Sequence, residues 1–279
     1  MFGLEAAPPY RLTRPPLVHA TAEVRFPVRA KLPTLDGIAP IQERLAPVFP
    51  YMNQQQTQQV SLLVSPSGPS AAQTQSTQTW RFTDDGGWTL VVSSDTANLA
   101  VGPQYVNFAE FADRFRVVLA ALADGAGVQR ADRLGVRYVN VAEVPPGDAE
   151  AWRHWFRPEL TGWTATEVVG ESTRVTTSIT QTQLAAPPIG ELSGPPVEIQ
   201  AIVRHGLIPA LTIVPGVVST QPKNPAYLLD IDLFVEAAQP FDADELSRQV
   251  TMLHNQIDRF FFWAIAPKGA AYFGRELLS

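Results

Sequence analysis

Two short segments share one pattern, and that pattern constrains the fold of this chain more than any other feature. AEVRFPV occupies residues 22–28 and LGVRYVN residues 134–140. Each places Val-Arg-aromatic in an alternating apolar–polar context: Val24-Arg25-Phe26 in the first, Val136-Arg137-Tyr138 in the second. Side chains two residues apart share one face of a strand, so each segment reads as a strand with one buried side. In the first, Val18, Ala20, Ala22, Val24 and Phe26 fall on one face and His19, Thr21, Glu23 and Arg25 on the other. In the second, Leu134, Val136, Tyr138 and Asn140 share a face.

The elements behind the two strands follow the same order. After the first, Leu35, Ile38, Ile41, Leu45 and Val48 recur at helical spacing, with Thr34 or Asp36 as cap and Pro40 marking a first turn. Extended segments follow at 51–64, 77–83, 88–93 and 97–101, with Asp84-Asp85-Gly86-Gly87 as a hairpin turn. Asn107 caps a long helix whose stripe is Phe108, Phe111, Phe115, Val118, Leu119 and Leu122, and Gly125 is expected to end it. After the second strand, Pro145-Pro146-Gly147 breaks the chain and Asp148 caps a short helix through Phe156. Extended segments at 174–184, 197–205 and 227–236 are separated by Pro- and Gly-rich loops at 185–196 and 215–225. The last helix runs from a cap near Asp242 to about Ile265, with Leu246, Val250, Leu253, Ile257, Phe260, Phe261 and Ala264 in register.

A match of three residues is weak alone, and the shared order of elements makes internal duplication the better reading. The expected class is α+β: two similar halves, each an antiparallel sheet with helices on one face. The boundaries are an N-terminal extension at 1–16, a first half at 17–125, a second half at 126–266 and a C-terminal tail at 267–279. The order resembles the half-repeat of the TATA-binding protein and also the helix-grip fold, analogies of shape that do not carry function.

Four segments carry a further resemblance: PLVHATAEVRFP (16–27), GVRYVN (135–140), YLLDIDLF (227–234) and LHNQIDRFFFWAI (253–265). Together they resemble a sporadically distributed, uncharacterised bacterial protein family. The resemblance implies no activity. A patchy distribution among bacteria fits genes exchanged horizontally, such as accessories of defence or toxin–antitoxin systems.

Composition narrows the function. Charged residues make up 17% of the chain and the net charge is -6, the wrong balance for a nucleic-acid backbone. No Cys is present, which removes disulfides and thiolate metal sites. Residues 1–16 hold no apolar core of a secretory leader, and the apolar run at 260–266 is too short to span a bilayer, so a cytoplasmic protein is expected.

The sequence offers few candidates for chemistry. Phosphate-cradling glycine motifs, a Gly-x-Ser-x-Gly elbow and His-Glu-x-x-His are absent, and His19, His154, His205 and His254 are scattered. Neither a cofactor nor a metal is expected. Asp230 and Asp232 project from one strand face; they suit a paired-carboxylate site, or ion pairs with Arg25, Arg133 and Arg137 on neighbouring strands, and the second reading is favoured. His254 stands one helical turn before Asp258, and it is expected to bond to Asp258 or to a sheet carbonyl. The Gln tract, with Gln54, Gln56 and Gln58 as candidate binding residues, suits an exposed sheet face that meets a partner and equally an ordinary polar strand. Trp152, Trp155 and Trp163 cluster as interface anchors do, although aromatic residues more commonly form core.

The expected function is a non-enzymatic protein-binding module with a protein partner or self-association. The alternative is a small-molecule binder with a cavity between helix and curved sheet. A hydrolase-like enzyme using Asp230, Asp232 or His254 ranks last.

Overall fold

Alternation in the strands and a 3.6-residue period in the helices direct apolar residues to one interface, and the chain folds around it. The computed structural model describes every residue except 66, 67, 171, 188–197, 215, 218–220 and 279, and the side chains of 57–77 are also outside the description. In chain order the elements are β1 (Tyr10–Leu12), β2 (Leu17–Arg25), α1 (Leu35–Leu45), β3 (Tyr51–Ser65), β4 (Gly68–Thr83), β5 (Trp88–Val92), β6 (Thr96–Val101), α2 (Phe108–Ala126), β7 (Arg130–Ala131) and β8 (Arg133–Glu143). There follow α3 (Trp152–Trp155), α4 (Pro158–Thr161), a 3₁₀ turn (Gly162–Ala165), β9 (Ser178–Ala186), β10 (Ile199–Ile208), β11 (Ala226–Val235), β12 (Gln239–Pro240), α5 (Ala243–Ala264), α6 (Pro267–Tyr272) and β13 (Arg275–Leu277).

Nine strands form one antiparallel sheet in the order β3-β4-β5-β6-β2-β8-β11-β10-β9, and two short pairs, β1–β13 and β7–β12, lie outside it. The molecule is therefore mixed α and β with a large antiparallel sheet. β2 and β8 pair at the centre, Ala20 opposite Tyr138, Ala22 opposite Val136 and Val24 opposite Leu134. β2 is flanked on its other side by β6, and β8 by β11. A register shift between Leu17 and His19 corrects the expected alternation: Val18 joins a small cluster with Val139, Val141 and Ile208. An extra residue in one strand turns the side chains before it to the opposite face.

The helices cover one face of the sheet. From α2, Phe111, Phe115, Val118, Leu119 and Leu122 are buried; from α5, Leu246, Val250, Leu253, Ile257, Phe260 and Ala264. They meet Leu229, Ile231, Leu233 and Val235 of β11 in one core. Each large apolar side chain so buried is worth about 1.5–3 kcal/mol. Asn107 caps α2 by accepting from Glu110 N, and Asp242 caps α5 by accepting from Glu245 N, as expected. No helix among the described residues is long and apolar enough to cross a membrane.

Three helix boundaries differ from the sequence reading. α1 begins at Leu35 under a Thr34 cap, so Pro40 sits inside the helix and removes one N–H from its hydrogen-bond ladder. α2 runs through Gly125 and ends at Gly127, which takes the left-handed conformation (φ 61°) and donates to Leu122 O. Gly125 is needed for proximity instead: a Cβ there would lie 3.0 Å from Ile41 of α1. α3 begins later than expected, and Asp148 is not its cap.

The N-terminal extension and the C-terminal tail are both structured. β1 pairs with β13, Tyr10 opposite Leu277. Upstream, the Phe2 ring packs on Phe260 with centroids 4.7 Å apart, and Phe2 N donates to Gln256 Oε1, satisfying a buried amide of α5.

Candidate functional site

The four charged residues singled out in the sequence lie on the sheet face opposite the helices. Arg137 holds Asp230 through two bonds, Nε to Oδ1 at 2.7 Å and Nη2 to Oδ2 at 2.9 Å. Arg204 of β10 adds a third, Nη1 to Oδ2 at 3.2 Å, and the Asp230 side chain is 1% exposed. Asp232 is looser, 3.6 Å from Arg133, and burial raises its pKa. Arg25 pairs with Glu23 of its own strand at 2.8 Å rather than with either aspartate. The two carboxylates are thus neutralised by arginines on adjacent strands, the arrangement of a sheet-tying ion-pair network.

The tryptophans separate. Trp152 and Trp155 are buried, stacked on Tyr227 and Tyr272 respectively, and are core rather than surface anchors. The short helix α3 turns both rings inward, which its length concealed in the sequence. Trp163 is 67% exposed. Gln54 and Gln56 are exposed on β3, opposite Trp80 and Gln78 of β4. The Gln58 side chain lies outside the described residues.

On the helical side, a cavity of about 440 Å³ opens where the N-terminal arm, the β6–α2 loop, β8 and α5 meet. Its walls are Tyr10, Tyr105, Phe108, Tyr138, His254 and Phe261, with Pro8, Pro9, Pro15, Pro16 and Pro103 at the rim. Each side chain has a local reason for its place. Tyr138 lies on the inward face of β8, one step from Asn140, whose Nδ2 donates to Leu229 O. His254 and Asp258 are one turn apart on α5, beside its apolar stripe. Tyr10 is positioned by the β1–β13 ladder, and its hydroxyl donates to Asp258 Oδ1 at 2.7 Å.

A polar chain crosses this apolar space. The Tyr105 and Tyr138 hydroxyls are 2.9 Å apart, and the Tyr138 hydroxyl is 3.0 Å from His254 Nδ1. Phe108 stacks flat on the His254 ring, centroids 3.7 Å apart at 7°. Burial lowers the His254 pKa to about 4, so the imidazole is neutral at pH 7. With a neutral ring, one consistent arrangement has Tyr105 donating to Tyr138 and Tyr138 donating to Nδ1. Burial raises the Tyr105 pKa to about 12 and pushes that of Tyr138 well up, so both remain hydroxyls.

Asp258 is the charged group of this pocket that stands without a countercharge. Its ion-pair partner is neither His254, as the helical spacing suggested, nor any cation among the described residues, and its one donor is Tyr10. Burial raises its pKa, and the Tyr10 hydrogen bond works against that rise. Arg11 also lines the cavity, but its guanidinium is committed to Glu276 at 2.6 Å. The pocket therefore combines aromatic walls with one carboxylate that lacks a cation. Sequence reasoning singled out His254, noted Asp258 and placed Phe108 on the α2 stripe, but missed Tyr10 and Tyr105, which come from a proline-rich arm and a loop without periodicity.

No protein-family model matches the chain, and no curated protein matches it in sequence.

Proposed function

We propose that this is a small-molecule-binding protein whose ligand is an organic cation, an amine or ammonium group on an apolar body, held in the aromatic pocket. The observation that carries the reading is Asp258, a carboxylate in an aromatic-walled cavity with one hydroxyl donor and no cationic partner among the described residues. A ligand ammonium would supply the missing charge, and the ring faces of Tyr105, Phe108, Tyr138 and Phe261 would add cation–π attraction of about 0.5–2 kcal/mol each. The His254–Tyr138–Tyr105 chain serves as a fixed hydrogen-bonding wall and transfers no proton in this role.

The test is a thermal-shift and calorimetric series at pH 7 with phenethylamine, its quaternary trimethylammonium analogue and uncharged 2-phenylethanol. Saturable binding is expected of the two cations, with at least tenfold weaker binding of the alcohol and loss of the preference in Asp258→Asn. Equal responses to all three, or none to either cation, overturn the reading.

A second reading, a protein-binding module, is favoured by the β3–β4 hairpin. Over residues 68–79, β4 pairs with β3 alone, so the two strands run beyond β5 as a ribbon with an open outer edge. Such an edge can add a strand from a partner or a second copy. Deletion of the ribbon tip would abolish that association and leave amine binding intact.

We also infer that the chain carries two copies of one unit, arranged as in the TATA-binding protein. The support is the strand order: each half places its first strand at the sheet centre and its last strand beside it, β2 with β6 and β8 with β11. The second half has one strand fewer in the large sheet and short helices where the first has α1. The resemblance to the sporadic bacterial family accords with both functional readings, since it brings no activity of its own.

A further inference from the structure

On the sheet face away from the aromatic pocket, a second cavity of about 540 Å³ lies over the first half of the sheet. Its polar lining is His19, Gln55, Arg81, Thr89, Asn98 and Gln104, and no Asp or Glu among the described residues contributes to it. Arg81 differs from the other arginines of this face. Arg25 and Arg133 are held by Glu23, and Arg137 and Arg204 by Asp230. Arg81 forms no ion pair among the described residues. Its contact there is Nη2 to Thr89 Oγ1 at 3.5 Å, the outer limit of a hydrogen bond, and its buried Nε has no acceptor. A buried donor left unmade is unfavourable, and a guanidinium lacking its anion more so.

The neighbours of Arg81 are uncharged hydrogen-bonding groups. Thr21 Oγ1 lies 2.8 Å from the Asn98 carboxamide and 2.9 Å from Leu99 O, so its one proton serves one of the two and the rest of the Asn98 amide is left to the cleft. Gln55 and Gln104 add two further carboxamides, and Thr89 a hydroxyl. His19 is neutral at pH 7, because burial and then the Arg137 charge lower its pKa to about 4. The result is one permanent positive charge ringed by uncharged hydrogen-bonding groups, in a protein of net charge -6.

We infer that this cleft binds a small molecule through an oxyanion, a carboxylate or a phosphate, with Arg81 as the anchor and the carboxamides as orienting groups. A planar guanidinium meets either oxyanion with two parallel bonds, and uncharged amides accept the rest of a polar ligand without opposing charge. The inference is independent of the amine reading, since the two cavities lie on opposite faces and share only Pro103 of the β6–α2 loop among their linings.

Titration calorimetry and thermal melts at low ionic strength test it, with inorganic phosphate and succinate as separate probes and sodium chloride as the ionic-strength control. The expected result is a saturable rise of the melting midpoint with at least one anion beyond the chloride control. A response to phosphate alone assigns a phosphoryl ligand, and to succinate alone a carboxylate ligand. Arg81→Gln should weaken binding at least tenfold and Arg81→Lys less. Asn98→Asp, which places a carboxylate in the cleft and leaves the arginine, should weaken it as Arg81→Gln does, and it serves if Arg81→Gln does not fold. Responses no larger than those to chloride, or unchanged in both Arg81→Gln and Asn98→Asp, overturn the inference.

Discussion

Arg137 and Asp230 form a two-pronged ion pair across β8 and β11, and a second arginine, Arg204, closes on the same carboxylate from β10. Three neighbouring strands are thereby tied at one buried point. Asp232, two residues on, has a single arginine at 3.6 Å. Breaking a buried pair strands the remaining charge, whereas a loosely held partner contributes little.

Asp230→Asn should therefore destabilise the fold by about 3–5 kcal/mol, since it removes the carboxylate that both Arg137 and Arg204 pair with. Asp232→Asn should cost about 1 kcal/mol or less. Chemical denaturation of both variants measures the contrast. A metal role for the two carboxylates predicts a different pattern: divalent cations would raise the wild-type midpoint and leave both variants unmoved.

Acid should weaken the fold through its histidines. His19 and His254 are both held near 4 by burial, with His205 lowered in the same direction. Below the ordinary value of about 6.5 the unfolded chain takes up protons that the folded chain refuses, so stability falls as pH drops from about 6.5 toward 4. The slope approaches about 1.4 kcal/mol per pH unit for each histidine and ends where the folded imidazoles protonate. Asp232 and Asp258, both raised, act with the opposite sign at the acidic end of this window, since the folded state protonates them first. Urea midpoints between pH 7 and 4.5 check this, and His19→Gln with His254→Gln should flatten the decline. A flat wild-type profile contradicts it.

The tryptophans should divide by burial. Trp152, at 1% exposure against Tyr227, should cost about 3–5 kcal/mol on replacement by Ala. Trp163→Ala, at 67% exposure, should stay within about 0.5 kcal/mol of wild type. Thermal melts decide, and a large loss at Trp163 would reveal burial in an assembly.

Nucleic acid should not bind with salt-sensitive affinity. Four arginines of the open sheet face are paired with carboxylates, and only scattered cations remain to meet a phosphate backbone. Fluorescence anisotropy of labelled duplex and single strands between about 50 and 200 mM salt provides the check, where a steep slope would count the phosphates neutralised.

Much of the framework was legible in the residues. β2, α2, α5 and the first part of β8 bury one apolar face, and burial of that kind leaves a period in the sequence; from Val139 on, β8 is buried on both faces. The caps Asn107 and Asp242 were legible because a short polar side chain before an apolar stripe has one common use. The aromatic pocket was only half legible. His254 and Asp258 lie on a periodic helix, but Tyr10 reaches Asp258 across 248 residues from a proline-rich arm with no period at all. β3 was legible almost end to end, but β4 begins at Gly68 rather than at 77, because Gln, Ser and Thr repeat along its first part without an apolar face to set a register. Trp155 turns inward onto Tyr272 of α6, where Gly269 lets the chain pass against Trp155 O, closer than any Cβ would allow.

The central β2–β8 seam has a consequence for how the chain can go astray. Its partners are more than a hundred residues apart, as the Glu23–Arg133 bridge across it shows with a separation of 110, so the seam closes only after long stretches of chain have been brought together. Until then β2 and β8 are raw edges in the middle of the future sheet, each antiparallel to its mate and alike in alternation. At high concentration a half from one molecule can zip onto the complementary half of another, giving an exchanged dimer with every native strand pairing intact and no new contact to betray it.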